Sequence, residues 1–132
     1  MKNLNNQSNQ KLPLDNAVSN LLMNICIPTN VKGFRYLKTA LIEMVYDESL
    51  LFSLTTRLYP MISKKYGTST DAVDTAMRHA ISYVNERASI GEIFKFYNCD
   101  YYTTLDQFST SEFLSCALEK LNNMISRGEV IK

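Results

Sequence analysis

Residues 60–85 read PMISKKYGTSTDAVDTAMRHAISYVN, and this stretch decides the fold. Pro60 has no N–H for the carbonyl four residues back, and its ring crowds that turn. A helix arriving from Glu48 through Leu51, Leu54 and Leu58 is therefore expected to kink or restart there. Pro60 suits the first position of a short helix, Met61 to Tyr66, which Gly67 can end in a left-handed conformation. Thr68-Ser69-Thr70-Asp71 then has the S/T-x-x-acid form of a capping box and opens a longer helix to about Asn85. A short helix, a glycine turn and a capped longer helix make a helix-turn-helix candidate over about 60–87.

Helical spacing continues on both sides. Asp15 is placed to cap a first helix with Val18, Leu21, Leu22 and Ile25 on one face, ended by Pro28. A second helix, from about Val31 to Tyr46-Asp47, sets Phe34, Leu37, Leu41, Met44 and Val45 on a core stripe. Ser89-Ile90-Gly91-Glu92 and Ser109-Thr110-Ser111-Glu112 are further capping boxes. The first precedes Ile93, Phe94 and Tyr97; the second precedes Phe113, Ala117, Leu121 and Ile125, with Gly128 just beyond. Asn98 to Phe108 is polar and aromatic without a period and reads as a surface connection. Only four glycines and three prolines occur, and alternating strand patterns are scarce. The expected class is all-α: a compact bundle of about six helices containing a helix-turn-helix. Residues 1–14, rich in Asn and Gln, read as a flexible polar tail, leaving 15–132 as the helical domain.

The chain has 132 residues, 45% hydrophobic and 20% charged, which suits one globular domain able to fold without staples. Fourteen Lys and Arg against thirteen Asp and Glu leave +1, so any basic surface must be local. Cys26, Cys99 and Cys116 are widely spaced and accompany a single histidine, which excludes a zinc ribbon and most disulfide frameworks. They read as reduced, mostly buried thiols of a cytoplasmic protein. No apolar run approaches the roughly 18 residues of a membrane span. There is no phosphate-cradling glycine loop, no H-E-x-x-H and no G-x-S-x-G, and His79 has no matched nucleophile and acid. A non-enzyme is expected, with no cofactor, metal or small-molecule substrate.

Projecting the long helix at 3.6 residues per turn puts Val73, Met77, Ala80 and Val84 on one side as core. The opposite side collects Asp71, Thr75, Arg78 and Ser82, flanked by Ala72 and His79. A major-groove helix needs such a face, since a guanidinium bonds bidentately to guanine O6 and N7 while hydroxyls and imidazole approach base edges. The base-facing candidates are Asp74, Thr75, Arg78, His79 and Ser82, with Arg78 the natural reader. The phosphate candidates are Lys64, Lys65 and Arg87, with Thr68, Ser69 and Thr70 at the helix start, where free N–H groups receive anions. Spacing alone leaves open that this is only a solvated helix face. Asp71 and Asp74 also oppose phosphate, unless they accept from a cytosine amino group.

These residues also carry a resemblance. Ile27-Pro28, Val31-Lys32-Gly33-Phe34-Arg35-Tyr36-Leu37-Lys38, Met44-Val45-Tyr46, Leu58-Tyr59-Pro60, Lys64-Lys65-Tyr66, Ala76-Met77-Arg78-His79-Ala80-Ile81 and Ser111-Glu112-Phe113 follow one another at fixed separations. In this order the chain resembles, from about Asn16 to Ile125, the C-terminal effector domain of the sporulation initiation regulator, stage 0 sporulation protein A, of spore-forming bacteria. The resemblance implies a DNA-binding domain of about six helices whose helix-turn-helix follows Leu58-Tyr59-Pro60. It places the helix with Arg78 and His79 in the major groove of a short promoter box. It further implies RNA polymerase, through its sigma subunit, as a partner, and a homodimer on DNA, with the segment from Ser89 to Tyr97 as the contact surface. Ile90, Ile93, Phe94 and Tyr97 of that segment equally suit simple burial.

The departures matter too. Relatives usually carry arginine where this chain has Ala72 and Thr75, and glutamate at Asp74, and their loop at Leu105-Asp106-Gln107-Phe108 is more basic. Each lost phosphate contact flattens the salt dependence by about 0.9 in slope, and each lost base contact relaxes discrimination by about 1–3 kcal/mol. A weaker or re-specified binder is expected. Relatives also place a phosphoacceptor receiver before the effector, whereas here a polar tail precedes the helices. Taken as complete, such a chain is expected to be controlled through abundance or a partner. The thinned basic face motivates an alternative: a receiverless interaction module that pairs with or antagonises a full-length regulator, with little DNA binding of its own.

Overall fold

Apolar residues three and four apart form helices here wherever the chain also supplies a start. The computed structural model describes residues 11–98 and 108–132. Among them are six α-helices: α1 (Leu14–Asn24), α2 (Lys32–Tyr46), α3 (Tyr59–Tyr66), α4 (Thr70–Arg87), α5 (Ile90–Tyr97) and α6 (Thr110–Ser126). The protein is an all-α bundle. The stripes expected on α1 (Val18, Leu21, Leu22, with Ile25 just beyond it) and α2 (Phe34, Leu37, Leu41, Met44, Val45) are buried in one continuous core. They meet Val73, Met77, Ala80 and Val84 of α4 and Phe113, Ala117 and Leu121 of α6 there.

The central element is α2, which packs against α1, α4 and α6. Its closest crossing is with α4. A Cβ on Gly33 would lie 2.1 Å from the Ala76 carbonyl oxygen and 2.6 Å from the Ala80 Cβ. The first turn of α2 thus lies directly on the backbone of α4, which fixes the long helix against the bundle.

Both later capping boxes form completely. Ser89 Oγ accepts from the Glu92 amide at 3.1 Å while the Glu92 carboxylate accepts from the Ser89 amide at 2.8 Å, and Ser109 and Glu112 do the same. The earlier starts differ from expectation. The residue preceding α1 is Pro13, with no side-chain cap, and Asp15 sits in the first turn, where it pairs with Lys38 of α2 at 3.0 Å. At α4 the cap is Ser69, whose Oγ accepts from the Ala72 amide at 3.1 Å. Thr68 instead belongs to the end of the preceding helix, its amide donating to the Ser63 carbonyl at 3.0 Å.

Two further differences have local causes. In place of a third regular helix from Glu48, a 3-10 turn (Glu48–Phe52) and a π turn (Leu54–Leu58) run into α3. Asp47 accepts from the Ser49 amide, Ser49 Oγ and Arg57, which holds the 3-10 turn. The Arg57 and Leu58 amides then share the Ser53 carbonyl, a wide turn just ahead of Pro60. Pro60 is the second residue of α3, and Leu50 and Leu58 are buried whereas Leu51 and Leu54 are half-buried.

The tail expected over 1–14 does not include its last residues. Leu12–Pro13 pairs in parallel with Val130–Ile131, and Leu14 is buried as the first residue of α1. A two-residue pairing is too short to leave an alternating pattern. Residues 1–10 lie outside the described residues, as does 99–107, which includes Cys99 and most of the expected connection. Phe108 stacks on Tyr97 with ring centroids 3.7 Å apart. Cys26 and Cys116 are half-buried. Among the described residues no helix is long and apolar enough to cross a membrane.

Candidate nucleic-acid interface

The corner begins at α3, whose last turn carries Lys64 and Lys65. Gly67 ends it at φ +65°, a backbone region that a Cβ disfavours, and the chain turns directly into α4. The Ser69 cap and the Ser69 carbonyl take the Ala72 and Val73 amides. This leaves the Thr70 and Asp71 amides as first-turn donors without intrahelical acceptors.

The outward face of α4 has the composition expected. Asp71, Ala72, Thr75, Arg78, His79 and Ser82 are exposed, while Val73, Met77, Ala80, Ile81 and Val84 are buried. Arg78 Nη2 lies 3.0 Å from Asp74 Oδ2, with side chains 66% and 37% exposed. Such a solvated i,i+4 pair contributes only about 0.3–0.5 kcal/mol, so the guanidinium is readily released to another acceptor. Asp74 also reaches Tyr59 of α3. Burial pushes the Tyr59 phenol up to about 12, and the Asp74 carboxylate adds to the shift by its charge and a hydrogen bond. At neutral pH the Tyr59 hydroxyl therefore keeps its proton beside the Asp74 carboxylate.

Two other candidates are partly engaged within α4. Ser82 Oγ donates to the His79 carbonyl at 2.6 Å, and the His79 ring meets the Tyr83 ring edge-on at 5.2 Å. Arg87 is not brought to the corner. It ends an 18-residue helix, about 25 Å along the axis from Thr70, and packs over the Tyr83 ring at 4.6 Å. There it borders a cleft with Met23, Cys26 and Pro28.

The structure instead brings in two cations that the sequence reading passed over as binding groups. Lys32 and Arg35, in the first turn of α2, line a cleft of about 260 Å³ with Tyr36, Tyr66, Gly67 and Thr68 of the corner itself. The signal available in the sequence was two basic residues opening a helix that has no acidic residue in its first turn. Against this geometry, the family described as Sporulation initiation factor Spo0A C terminal matches residues 18–121. The chain belongs to that family. The matched span runs from α1 to the middle of α6 and takes in the whole α3–α4 corner of this Spo0A C-terminal domain.

The remaining apolar segment divides. On α5, Ile93, Phe96 and Tyr97 are buried and Phe94 half-buried, whereas Ile90 is 53% exposed. Among the described residues no three His, Cys, Asp or Glu side chains group as metal ligands do.

Proposed function

We propose that this protein is a sequence-specific DNA-binding transcription regulator that lays α4 in the major groove of a short promoter box. One observation carries the reading: an exposed polar face of α4, held out from the bundle by the α2 crossing at Gly33 and opening from a glycine turn beside Lys64 and Lys65. Membership of the Spo0A C-terminal family supports a DNA-binding effector role of this kind. In this reading Arg78 leaves Asp74 to bond bidentately to a guanine, while Thr75, His79 and Ser82 approach neighbouring base edges. Asp74, once Arg78 has left it, accepts from a cytosine amino group where one is in reach. Lys64, Lys65 and the helix start from Thr68 to Thr70 take phosphates, and Arg87 reaches only DNA that extends along the whole helix.

The reading also gives α5 a protein partner, RNA polymerase through its sigma subunit, with Ile90 as the apolar contact, and a homodimer on DNA. Fluorescence anisotropy on duplexes selected from a random pool, set against scrambled duplexes over a salt series, tests the DNA reading. A preference for the selected duplex with a steep salt slope supports it. Absence of binding at low salt contradicts it and favours the interaction module that pairs with a full-length regulator.

A further inference from the structure

We infer that the cleft between the start of α2 and the turn after α3 is a binding site for a DNA backbone phosphodiester, held by Lys32 and Arg35. The inference rests on the DNA-binding reading above and adds a contact outside α4. Two cations sit against one tyrosine of the cleft wall. The Arg35 guanidinium lies 5.9 Å from the Tyr66 ring centroid, and the Lys65 ammonium 5.5 Å from it. Lys32 closes the same cleft, and among the described residues no carboxylate lines it. The ion pairs among the described residues involve Lys38, Arg57, Arg78 and Arg127, and none engages Lys32, Arg35 or Lys65.

Like charges so gathered repel one another, and Lys32 and Arg35 also stand at the positive end of the α2 dipole, where a cation is unfavourable. An anion in the cleft reverses both terms. The tyrosine that organises the cations is itself fixed: Tyr66 Oη and Thr39 Oγ1 share a hydrogen bond of 2.7 Å, and the Tyr36 and Tyr66 rings lie 5.3 Å apart. The cleft is therefore built on α2 and the end of α3 together. Gly67 and Thr68 in its wall belong to the turn that leads into α4, so a phosphate there would lie beside the start of that helix. The polymer backbone, rather than a free anion, is the occupant that this placement fits.

The test uses the full chain and a labelled 20-base-pair duplex of scrambled sequence, because a phosphate contact is blind to sequence. Log affinity against log salt should fall less steeply by about 0.9 for Lys32→Ala/Arg35→Ala than for the parent, the change of one phosphate contact. Arg35→Lys, which keeps the charge, should retain most of the parent slope. Arg127→Gln, remote in sequence and paired with Glu129, should leave it unchanged. Circular dichroism confirms that each variant is folded. A folded double variant with the parent slope overturns the inference while leaving the α4 reading intact. A parent that binds no duplex at low salt overturns both. If inorganic phosphate alone shifts the Gly67 and Thr68 amide resonances in the parent while the duplex slope is the same in parent and double variant, the site takes a free anion and the DNA assignment fails.

Discussion

The two faces of α4 obey different rules. The inner face is shut: Val73, Met77 and Ala80 are completely buried, and the backbone at Ala76 leaves no room for a side chain on Gly33. The outer face is held by single weak contacts, an exposed Arg78–Asp74 pair and a Ser82 hydroxyl turned back on its own helix. Changes inside should therefore alter whether the domain folds, whereas in the proposed reading changes outside alter what it binds.

The largest effect should come from the inner face. Met77→Ala removes a fully buried side chain and should lower stability by about 2–5 kcal/mol in denaturant unfolding. Gly33→Ala should cost about 1–3 kcal/mol, since the added methyl meets a carbonyl of another helix rather than a movable side-chain end. If Gly33→Ala melts with the parent, the close crossing does not fix α4. On the outer face, Arg78→Ala should change stability by no more than about 0.5 kcal/mol, yet lower discrimination at one base pair by about 1–3 kcal/mol. Ser69→Ala, at the boundary between the faces, should lose about 1 kcal/mol of stability by uncapping α4.

The smallest effect is in pH. The Ser49 side chain, then Arg57, holds the Asp47 carboxyl below its ordinary value, and the Ser89 amide and hydroxyl do the same for Glu92. A carboxyl whose pKa is depressed by folding contributes stability above its unfolded pKa and loses it as pH falls through the folded one. Thermal midpoints should be level through neutral and mildly acid pH and decline only below the ordinary carboxylate range, less so in Asp47→Asn.

The inner face was legible because burial imposes a period. The α2, α4 and α6 stripes, the glycine turn and the two serine-glutamate boxes all announce themselves in spacing. What spacing misses is decided by single side chains or by chain crossings. Ser69 rather than Thr68 caps α4, and the Thr68 amide instead closes the turn after α3. The 3-10 and π turns before Pro60 follow from an Asp47-Ser49-Arg57 network that leaves no periodic trace. The outer-face candidates were readable as a list, but not their partners: Tyr59 against Asp74 joins α3 to α4, and Lys32 and Arg35 reach the corner only through the α2 crossing. Arg87 shows the converse, a cation on the corner's own helix that lies far from the corner in space.

The proposed role of Arg78 is to read a base from the outer face of α4. The direct measurement is anisotropy of parent and Arg78→Ala on a duplex selected by the parent, and on that duplex with each base pair changed in turn. The variant should lose the parent's discrimination at one position while binding scrambled DNA nearly as the parent does. A variant that discriminates at every position as the parent does would contradict that role.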